Sequence, residues 1–493
     1  MVVKTFVSAF LGRGRAPVLF WLFTAMTAGA ILMSLELTGF RLYAPYFGYS
    51  IYVWGGMIST MMLALAAGYW LGGRLADRAE DDSALFMTIV FSAAYQLVIL
   101  LSARLFLPAL ADLGDLSGVI GATLIIFVPS MTALAAAGPM IIRLCTLNCA
   151  VGSAAGRVYA LSTAGSIAGI LATSFVLVPR FGTEATLKLL CAATFLAGAA
   201  GLSRRRSVFT AAILIPVPLI SSVTGLGWSR GALWAEESPY NLVRVVRRGN
   251  ERFLQLNNSS SVQTVQADAG PSGYYYDAFA LGPLFTPGRR MLVLGMGGGA
   301  SIHAARITAP DIDIDAVEID AKVVEAAWRW FGIRESNRLR IHVADARRWL
   351  ARTRSVYDLV ELDLYQGGPY IPFYLATREF FQLVSSRMSS DGVVMMNVFD
   401  AGPKHELVFA VGATLQRVFP SVMAIRTQSA NYLLVAFRRK TSQQTVRAVL
   451  TRAPQFLDRW REIQPMAPPP GAPCFTDDLA PIEQITHRML RFR

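Results

Sequence analysis

The hydrophobic pattern divides the chain into two parts that predict different kinds of structure. Residues 1–228 contain about seven apolar stretches, each long enough to cross a bilayer as a helix. Their centres lie near Met26, Leu63, Leu97, Ile126, Gly169, Thr194 and Pro216. From residue 229 onward, short apolar runs alternate with glycine turns and helical periodicities. We therefore predict a multi-span α-helical membrane domain followed by an α/β domain.

The second part is predicted to contain three segments. Residues 229–284 alternate like antiparallel strands around a turn at Gly249 and Asn250, which predicts a small β subdomain. Residues 285–440 carry the strand and helix alternation of a Rossmann-like domain. Residues 441–493 are expected to form a C-terminal helix and a tail, joined by a proline-rich linker.

Composition supports a membrane protein with a soluble half. The chain is 54% hydrophobic and only 16% charged, and its mean hydropathy is +0.43, which is too apolar for an ordinary soluble protein of 493 residues. The net charge of +13 raises the question of nucleic acid. The basic residues are scattered, however, and many flank apolar spans instead of forming a stripe, so we expect no nucleic-acid partner.

Cysteine and histidine spacing argues against a metal site. Cys145, Cys149, Cys191 and Cys474 form neither a disulfide framework nor a CxxC pair. The histidines lack the spacing of metal ligands. We expect no metal.

The distribution of basic residues leaves the membrane topology in conflict. Arginines after alternate spans lie on the same side as the basic N-terminus, which places that side in the cytoplasm. Seven complete spans would then put the α/β half outside, whereas nucleotides, the usual ligands of Rossmann-like domains, are kept inside the cell. We expect an integral protein of the inner (cytoplasmic) membrane with a cytoplasmic catalytic half. In that case the span count is wrong by one, or residues 209–227, which contain Pro216 and Pro218, fail to cross.

Residues 291–320 read as strand, glycine turn, helix and strand. Four glycines lie between Leu294 and the helix expected from about Ser301, and Glu318 ends the second strand. The helix N-terminus favours an anion or dipole, and Glu318 is placed to accept from two ribose hydroxyls. This pattern alone also suits NAD, or a tight turn that binds nothing.

Two further acids follow the next two strands. Asp345 comes after an alternating strand at 340–343, and Asp363 comes after the strand in 357–363. The carboxyl ends of parallel strands meet at one edge, so all three acids are expected at one crevice. An NAD site requires only the first of them.

Several stretches together resemble the spermidine synthase (polyamine aminopropyltransferase) family of class I AdoMet-dependent transferases. The resemblance covers residues 238 to about 435. It is carried by SPYN at 238–241, SVQ at 261–263, YYD at 275–277, the glycine loop, VEID at 317–320, ADA at 344–346 and the loop after Asp363. It implies a class I methyltransferase-like fold and decarboxylated AdoMet or AdoMet as co-substrate.

The resemblance also implies residue roles. It makes Asp363 the catalytic base, accompanied by Tyr275. It implies that Glu318 binds ribose and Asp345 the adenine amino group. The co-substrate residues it implies are Gln263, Gly295, Gly297, Gly298, Gly299, Glu318, Asp345 and Ala346. The acceptor-side residues it implies are Asn241, Tyr276, Asp277, Tyr365 and Gln366.

The sequence departs from the family at two acidic positions. Gly298 stands where the GGGDGG loop has an aspartate, and Gln366 replaces an acid after Asp363. Each missing carboxylate removes a partner for a cationic substrate, so putrescine and decarboxylated AdoMet are expected to be poor substrates.

Three functions therefore remain open. The first is an aminopropyltransferase of polyamine biosynthesis. The second is an AdoMet-dependent methyl- or aminocarboxypropyltransferase acting on a lipid or membrane-held acceptor. The third is a nucleotide-binding transporter or sensor without catalysis. A homodimer is possible in each case.

The C-terminal segment also resembles a tail found in membrane-fused relatives of this family. It contains three acids, Asp477, Asp478 and Glu483. They are expected either to seal the active site or to cap a helix.

Overall fold

The computed structural model describes residues 16–79, 81–147, 149–202, 228, 231–257, 261–427 and 430–490. The chain divides into two compact units, residues 1–228 and residues 229–493. The span predicted near Pro216 and the arginines at 204–206 lie outside the described residues.

The first unit is helical. Its described α-helices are α1 Ala16–Phe47, α2 Ile51–Arg78, α3 Ser83–Ala111, α4 Asp115–Ile126, α5 Val128–Thr146, α6 Val151–Ala172 and α7 Val178–Leu202, with a π-helical turn Thr173–Leu177 between the last two. Five helical segments in the described part are long and apolar enough to cross a membrane. They are Pro17–Phe47, Ile51–Arg78, Ser83–Ala111, Val128–Thr146 and Val151–Leu202.

The count differs from the seven predicted spans because the stretches near Gly169 and Thr194 count as one segment, Val151–Leu202, and the stretch near Pro216 lies outside the described residues. Two interruptions also occur within the described helices. The apolar stretch centred near Ile126 is interrupted at Phe127, and Pro129 stands in the first turn of α5. Proline lacks an N–H group and collides with the preceding turn, so it begins a helix but does not continue one. The stretches centred near Gly169 and Thr194 form one long helical segment, which bends at Gly182, where φ is 78°.

Close helix contacts in this unit depend on small residues. A Cβ added at Gly165 would lie 1.9 Å from the carbonyl oxygen of Met26, and one at Gly169 would lie 2.3 Å from that of Ala30. Helices α1 and α6 therefore approach at a small-xxx-small pair. The outer surface is strongly apolar, with Leu63 65% and Phe175 73% exposed.

The second unit begins with a four-stranded antiparallel sheet. Its strands are β1 Trp234–Glu237, β2 Leu242–Arg248, β3 Glu251–Leu256 and β4 Val262–Ala267, in that spatial order. The β2–β3 turn contains Gly249 with φ of 57°, a conformation that glycine adopts without steric cost. A 3₁₀ helix, Tyr275–Leu284, then leads into the larger sheet.

The larger sheet has eight strands in the order β12-β10-β11-β9-β8-β5-β6-β7. They are β5 Arg290–Leu294, β6 Asp313–Glu318, β7 Leu339–Val343, β8 Tyr357–Leu362, β9 Met388–Phe399, β10 Ser421–Arg426, β11 Asn431–Phe437 and β12 Ile463–Pro465. Strands β5 to β9 are parallel, whereas β10, β11 and β12 pair antiparallel with their neighbours.

Helices and apolar side chains cover both faces of this sheet. The α-helices are α8 Ala300–Thr308, α9 Ala321–Trp330, α10 Ala346–Arg352, α11 Arg378–Ser386, α12 Glu406–Gln416, α13 Gln443–Leu450 and α14 Ile482–Leu490. Leu292 and Val360 pack on one face, and Met291 and Leu359 pack on the other. The predicted α/β fold with a mixed sheet is confirmed. Strands β10 and β12, which the sequence pattern did not predict individually, extend the sheet beyond β11.

Candidate active site

The glycine loop joins β5 to α8 with the geometry that its sequence requires. Gly295, Gly297 and Gly299 have φ of 85°, 52° and 82°. A Cβ at Gly295 would lie 2.2 Å from the carbonyl oxygen of Asp363, so the loop approaches the end of β8 without room for a side chain. Helix α8 begins at Ala300, one residue before the predicted start. Its N-terminus lies directly after this loop.

Glu318 is buried at the end of β6 and is anchored to the glycine loop. Its Oε2 accepts from the Gly297 N–H at 3.1 Å, and its Oε1 accepts from the Asp320 N–H at 3.1 Å. Burial raises the pKa of Glu318 to about 7, although these two backbone hydrogen bonds oppose the increase. A carboxylate has about four acceptor positions, so Glu318 keeps acceptor capacity for two ribose hydroxyls.

Gly298 is held by β4. Its N–H donates to Thr264 Oγ1 at 2.8 Å, and an added Cβ would lie 2.8 Å from Thr264 Cγ2. Thr264 therefore occupies the space that a side chain at position 298 would need. Gln263, its neighbour on β4, donates from Nε2 to Ser261 Oγ at 3.1 Å.

Asp345 follows β7 and caps α10. Its Oδ1 accepts from the Arg348 N–H at 2.8 Å, and its Oδ2 accepts from the Tyr374 hydroxyl at 3.0 Å. Ala346 is the first residue of α10 and is buried. The carboxylate is thus fixed at the same sheet edge as Glu318, because β6 and β7 are parallel neighbours.

Asp363 follows β8 at the centre of this edge. Tyr275 donates its hydroxyl to Asp363 Oδ2 at 2.9 Å, and Asn397 donates from Nδ2 to Oδ1 at 2.9 Å. Burial raises the pKa of Asp363 to about 6, and the two hydrogen bonds limit the increase. The structure therefore brings the two predicted catalytic side chains, Asp363 and Tyr275, into direct contact.

Sequence reasoning missed the residues that orient Asp363. Asn397 lies on β9, and its Oδ1 accepts from Asn431 Nδ2 at 2.9 Å, which directs its own Nδ2 towards Asp363. Tyr365 donates its hydroxyl to the Asn397 carbonyl and accepts from the Phe399 N–H. A polar asparagine inside the apolar strand 393–399 was the available signal.

Glu361 was also missed. It is 1% exposed, and neither carboxylate oxygen has a hydrogen-bond partner among the described residues. Burial raises its pKa well above the ordinary value for glutamate, because the charged form loses its hydration there. It precedes Asp363 by two positions, and an acid inside a central strand was its only sequence signal.

Two predicted acceptor-side residues support the local backbone. Asn241 Nδ2 donates to Asp320 Oδ2 at 3.0 Å, and the pair is buried. Asp277 accepts from the N–H groups of Ser272 and Gly273, and Arg459 lies 3.4 Å from its Oδ2. Their predicted contact with a substrate stays a prediction.

The other predicted acceptor-side residues differ in exposure. Tyr276 is buried and stacks near Tyr275, with ring centroids 4.0 Å apart. Gln366 is exposed, and its backbone N–H donates to the Tyr370 carbonyl.

The described residues contain no cluster of three or more side chains that could hold a metal ion.

The strand order and the three acids at one edge define a class I methyltransferase-like α/β domain. Residues 275–445 match the family model of the spermine/spermidine synthase domain. The chain therefore carries a domain of this family, and the resemblance seen in the sequence is confirmed.

Individual relatives include two kinds of transferase. A probable polyamine aminopropyl transferase from Bifidobacterium longum is 32% identical over 194 residues, covering 39% of this chain and 43% of that protein. A polyamine aminopropyltransferase from Vibrio vulnificus is 36% identical over 129 residues, covering 25% and 43%. The human eEF1A lysine and N-terminal methyltransferase is 29% identical over 182 residues, covering 34% and 26%. The chain spans less than half the length of each of these relatives.

Solved structures give a weaker match. The crystal structure of a probable spermidine synthase from Corynebacterium glutamicum is 17% identical, with a TM-score of 0.41, and covers 50% of this chain and 97% of its own.

Proposed function

We propose that the α/β unit is a transferase that moves an aminopropyl or related group from decarboxylated AdoMet or AdoMet to an amine. The observation that carries this proposal is Asp363, held between Tyr275 and Asn397 at the edge where Glu318 and Asp345 also end. Support for an AdoMet-type co-substrate comes from the remaining acceptor capacity of Glu318 and from the matched family.

The reaction requires a base and good alignment. The amine nitrogen attacks the carbon beside the sulfonium, the C–S bond breaks, and its electron pair stays on sulfur, which leaves as a neutral thioether. A primary amine has an ordinary pKa of about 10, so a carboxylate must take its proton and orient the lone pair. In our proposal Asp363 accepts this proton. Alignment of the two reactants supplies roughly 7–11 kcal/mol of the rate enhancement.

Mass spectrometry of the detergent-purified protein tests this proposal. Small molecules retained by the protein are extracted and identified. Decarboxylated AdoMet, AdoMet or methylthioadenosine would support a sulfonium-using transferase. Retention of NAD, or of a nucleotide unrelated to these, would contradict it and favour a transporter or sensor without catalysis.

A second candidate is an AdoMet-dependent methyl- or aminocarboxypropyltransferase with a lipid or membrane-held acceptor. It is favoured by Gly298 and Gln366, which leave the site without two acids, and by similarity to a named methyltransferase. Incubation with AdoMet labelled either in the methyl group or in the aminocarboxypropyl chain, and in parallel with decarboxylated AdoMet labelled in the aminopropyl chain together with a water-soluble amine, followed by lipid extraction, separates the candidates. If just one of the labelled donors transfers its label to lipid, that donor identifies the transferred group. Label in a water-soluble polyamine supports the first candidate.

We further propose that the helical unit lies in the inner membrane and that the catalytic unit is cytoplasmic. The five membrane-length helical segments and the exposed Leu63 and Phe175 support a bilayer environment. A reporter that is active only in the cytoplasm, fused after Arg493, should be active. Activity of a periplasmic reporter at the same site would contradict the proposed side and count heavily against an AdoMet-type substrate.

A further inference from the structure

The acidic tail lies against α11 and α12. Phe475 is fully buried, and its N–H donates to Thr414 Oγ1 at 2.9 Å. Its carbonyl accepts from the Arg378 N–H at 2.9 Å. Residues 475–477, which we call the tail clasp, are therefore anchored to two helices of the same unit.

Asp477 makes several polar contacts within the tail clasp. Its Oδ1 accepts from Arg347 Nη1 at 2.8 Å and its Oδ2 from Arg347 Nη2 at 2.5 Å, so the pair is bidentate. Thr377 Oγ1 also donates to Oδ1 at 2.7 Å, and the Asp477 N–H donates to Glu379 Oε2 at 3.0 Å. These contacts hold both carboxylate oxygens of Asp477 against α10 and the start of α11, and α14 begins further along the tail, at Ile482.

Arg347 connects the tail clasp to the nucleoside side of the proposed site. It follows Asp345 by two residues, and its Nη1 also donates to the Tyr374 carbonyl at 2.9 Å. The Tyr374 hydroxyl in turn donates to Asp345. Glu379 and Asp345 also act electrostatically on Arg347. Glu379 is already paired with Arg378 at 2.7 Å, so Asp345 is the one of these two acids without a cationic partner among the described ion pairs.

We propose that Asp477 is a positioning residue that holds Arg347 away from Asp345 and so keeps Asp345 free to accept from the exocyclic amine of an adenine. A guanidinium without Asp477 turns to the next carboxylate, because bidentate pairing with an acid is its strongest interaction. Asp345 then loses acceptor capacity for the base. This inference rests on the proposed function, which places the adenine at Asp345.

Binding of two nucleosides measures this effect. Methylthioadenosine offers an amine at position 6 of the base, whereas methylthioinosine offers a carbonyl oxygen that a carboxylate repels. The wild type should prefer methylthioadenosine by about tenfold or more, as expected for one hydrogen bond to a charged group. Asp477→Asn should reduce this preference to about threefold or less.

A double variant separates positioning from folding. Arg347→Met combined with Asp477→Asn should restore most of the preference, because no guanidinium remains to occupy Asp345. Arg488→Ala is the matched control, since Arg488 pairs with Glu406 at 2.8 Å in the same tail. That control should keep the preference, and thermal unfolding should show that every variant is folded.

Each outcome decides the inference. An unchanged preference in Asp477→Asn, no recovery in the double variant, or an equal loss in Arg488→Ala would overturn it while leaving the proposed function intact. Failure of the wild type to bind either nucleoside would refute the proposed function and the inference together.

Discussion

Two buried polar clusters, one in each unit, have opposite character. In the helical unit, Gln96 Nε2 lies 3.2 Å from Ser92 Oγ and 3.2 Å from Ser130 Oγ, and Thr194 lies beside it. In the α/β unit, Asp363 is bonded to Tyr275 and Asn397 at the edge of the sheet. The first cluster is neutral and its members bond to one another. The second contains a carboxyl whose pKa is raised to about 6.

This difference distinguishes a polar cluster that packs helices together from one that can take part in a reaction. A neutral cluster that satisfies itself orients helices and leaves nothing for a ligand. A carboxyl whose pKa burial has raised destabilises the folded state when it is ionised, so a fold keeps it for a reason other than stability. The Asp363 cluster is therefore the one that we expect to carry chemistry.

The largest expected effect is on turnover in Asp363→Asn. The amide keeps the shape and one of the two accepted hydrogen bonds but cannot accept a proton, so kcat should fall roughly 10²–10⁴-fold while nucleoside binding is retained. Enzyme assays and calorimetry with methylthioadenosine measure the two quantities. Asp391→Asn, at an exposed acid paired with Arg439, is the control. Full activity in Asp363→Asn would exclude Asp363 as the base.

The same variant gives a pH-dependent change in stability. The folded pKa of Asp363, about 6, lies above the ordinary value of 3.8, so the folded state binds the proton more tightly than the unfolded state. Stability therefore decreases as pH rises from about 4 to about 6. The change in the free energy of unfolding caused by Asp363→Asn should therefore be more stabilising at pH 7.5 than at pH 4. An equal change at both pH values would contradict the raised pKa.

Glu318→Ala should weaken nucleoside binding. Two ribose hydroxyls lose their acceptor, at a cost of about 1–3 kcal/mol or more, which is about fivefold to 150-fold in Kd. Binding to the wild type should also strengthen as pH rises through about 7, because ribose hydroxyls donate to the ionised form. Calorimetry with methylthioadenosine tests both, with Glu325→Ala on α9 as control. An unchanged Kd would remove Glu318 from the site.

Restoring the two missing acids should increase the turnover of a dicationic acceptor. Gly298→Asp with Gln366→Asp is expected to raise kcat/KM for putrescine by about one to two decades. Thr264→Gly should accompany them, since a Cβ at position 298 meets Thr264 Cγ2 at 2.8 Å, Cβ at 2.9 Å and Oγ1 at 3.1 Å. Thr264→Gly alone is the control. Efficient wild-type turnover of putrescine, unimproved by the acids, would leave plain spermidine synthase as the function.

The smallest expected effect is on Gln96→Leu in the helical unit. Polar contacts between helices in a bilayer contribute about 0.6 kcal/mol on average, so unfolding of the helical unit should change by about this amount. Turnover by the α/β unit should stay the same. A large loss of activity would contradict the proposed difference between the two clusters, because it would show that the neutral cluster also affects the reaction.

Patterns in the sequence predicted the α/β fold, the family resemblance and the positions of the three acids after their strands. These features depend on local order: a glycine turn between a strand and a helix, or an acid directly after an apolar run. Because parallel strands end at one edge, an acid at each strand end predicts a shared crevice without any knowledge of distant contacts.

The side chains that orient these acids became evident only in the folded protein. Asn397 is 34 residues from Asp363, and Asp477 is 130 residues from Arg347. It also showed Thr264 packed against Gly298, which the missing aspartate alone did not reveal. Such contacts depend on strand order and on where the tail docks. Neither leaves a periodic signal in one sequence, because each depends on packing between segments far apart in the chain.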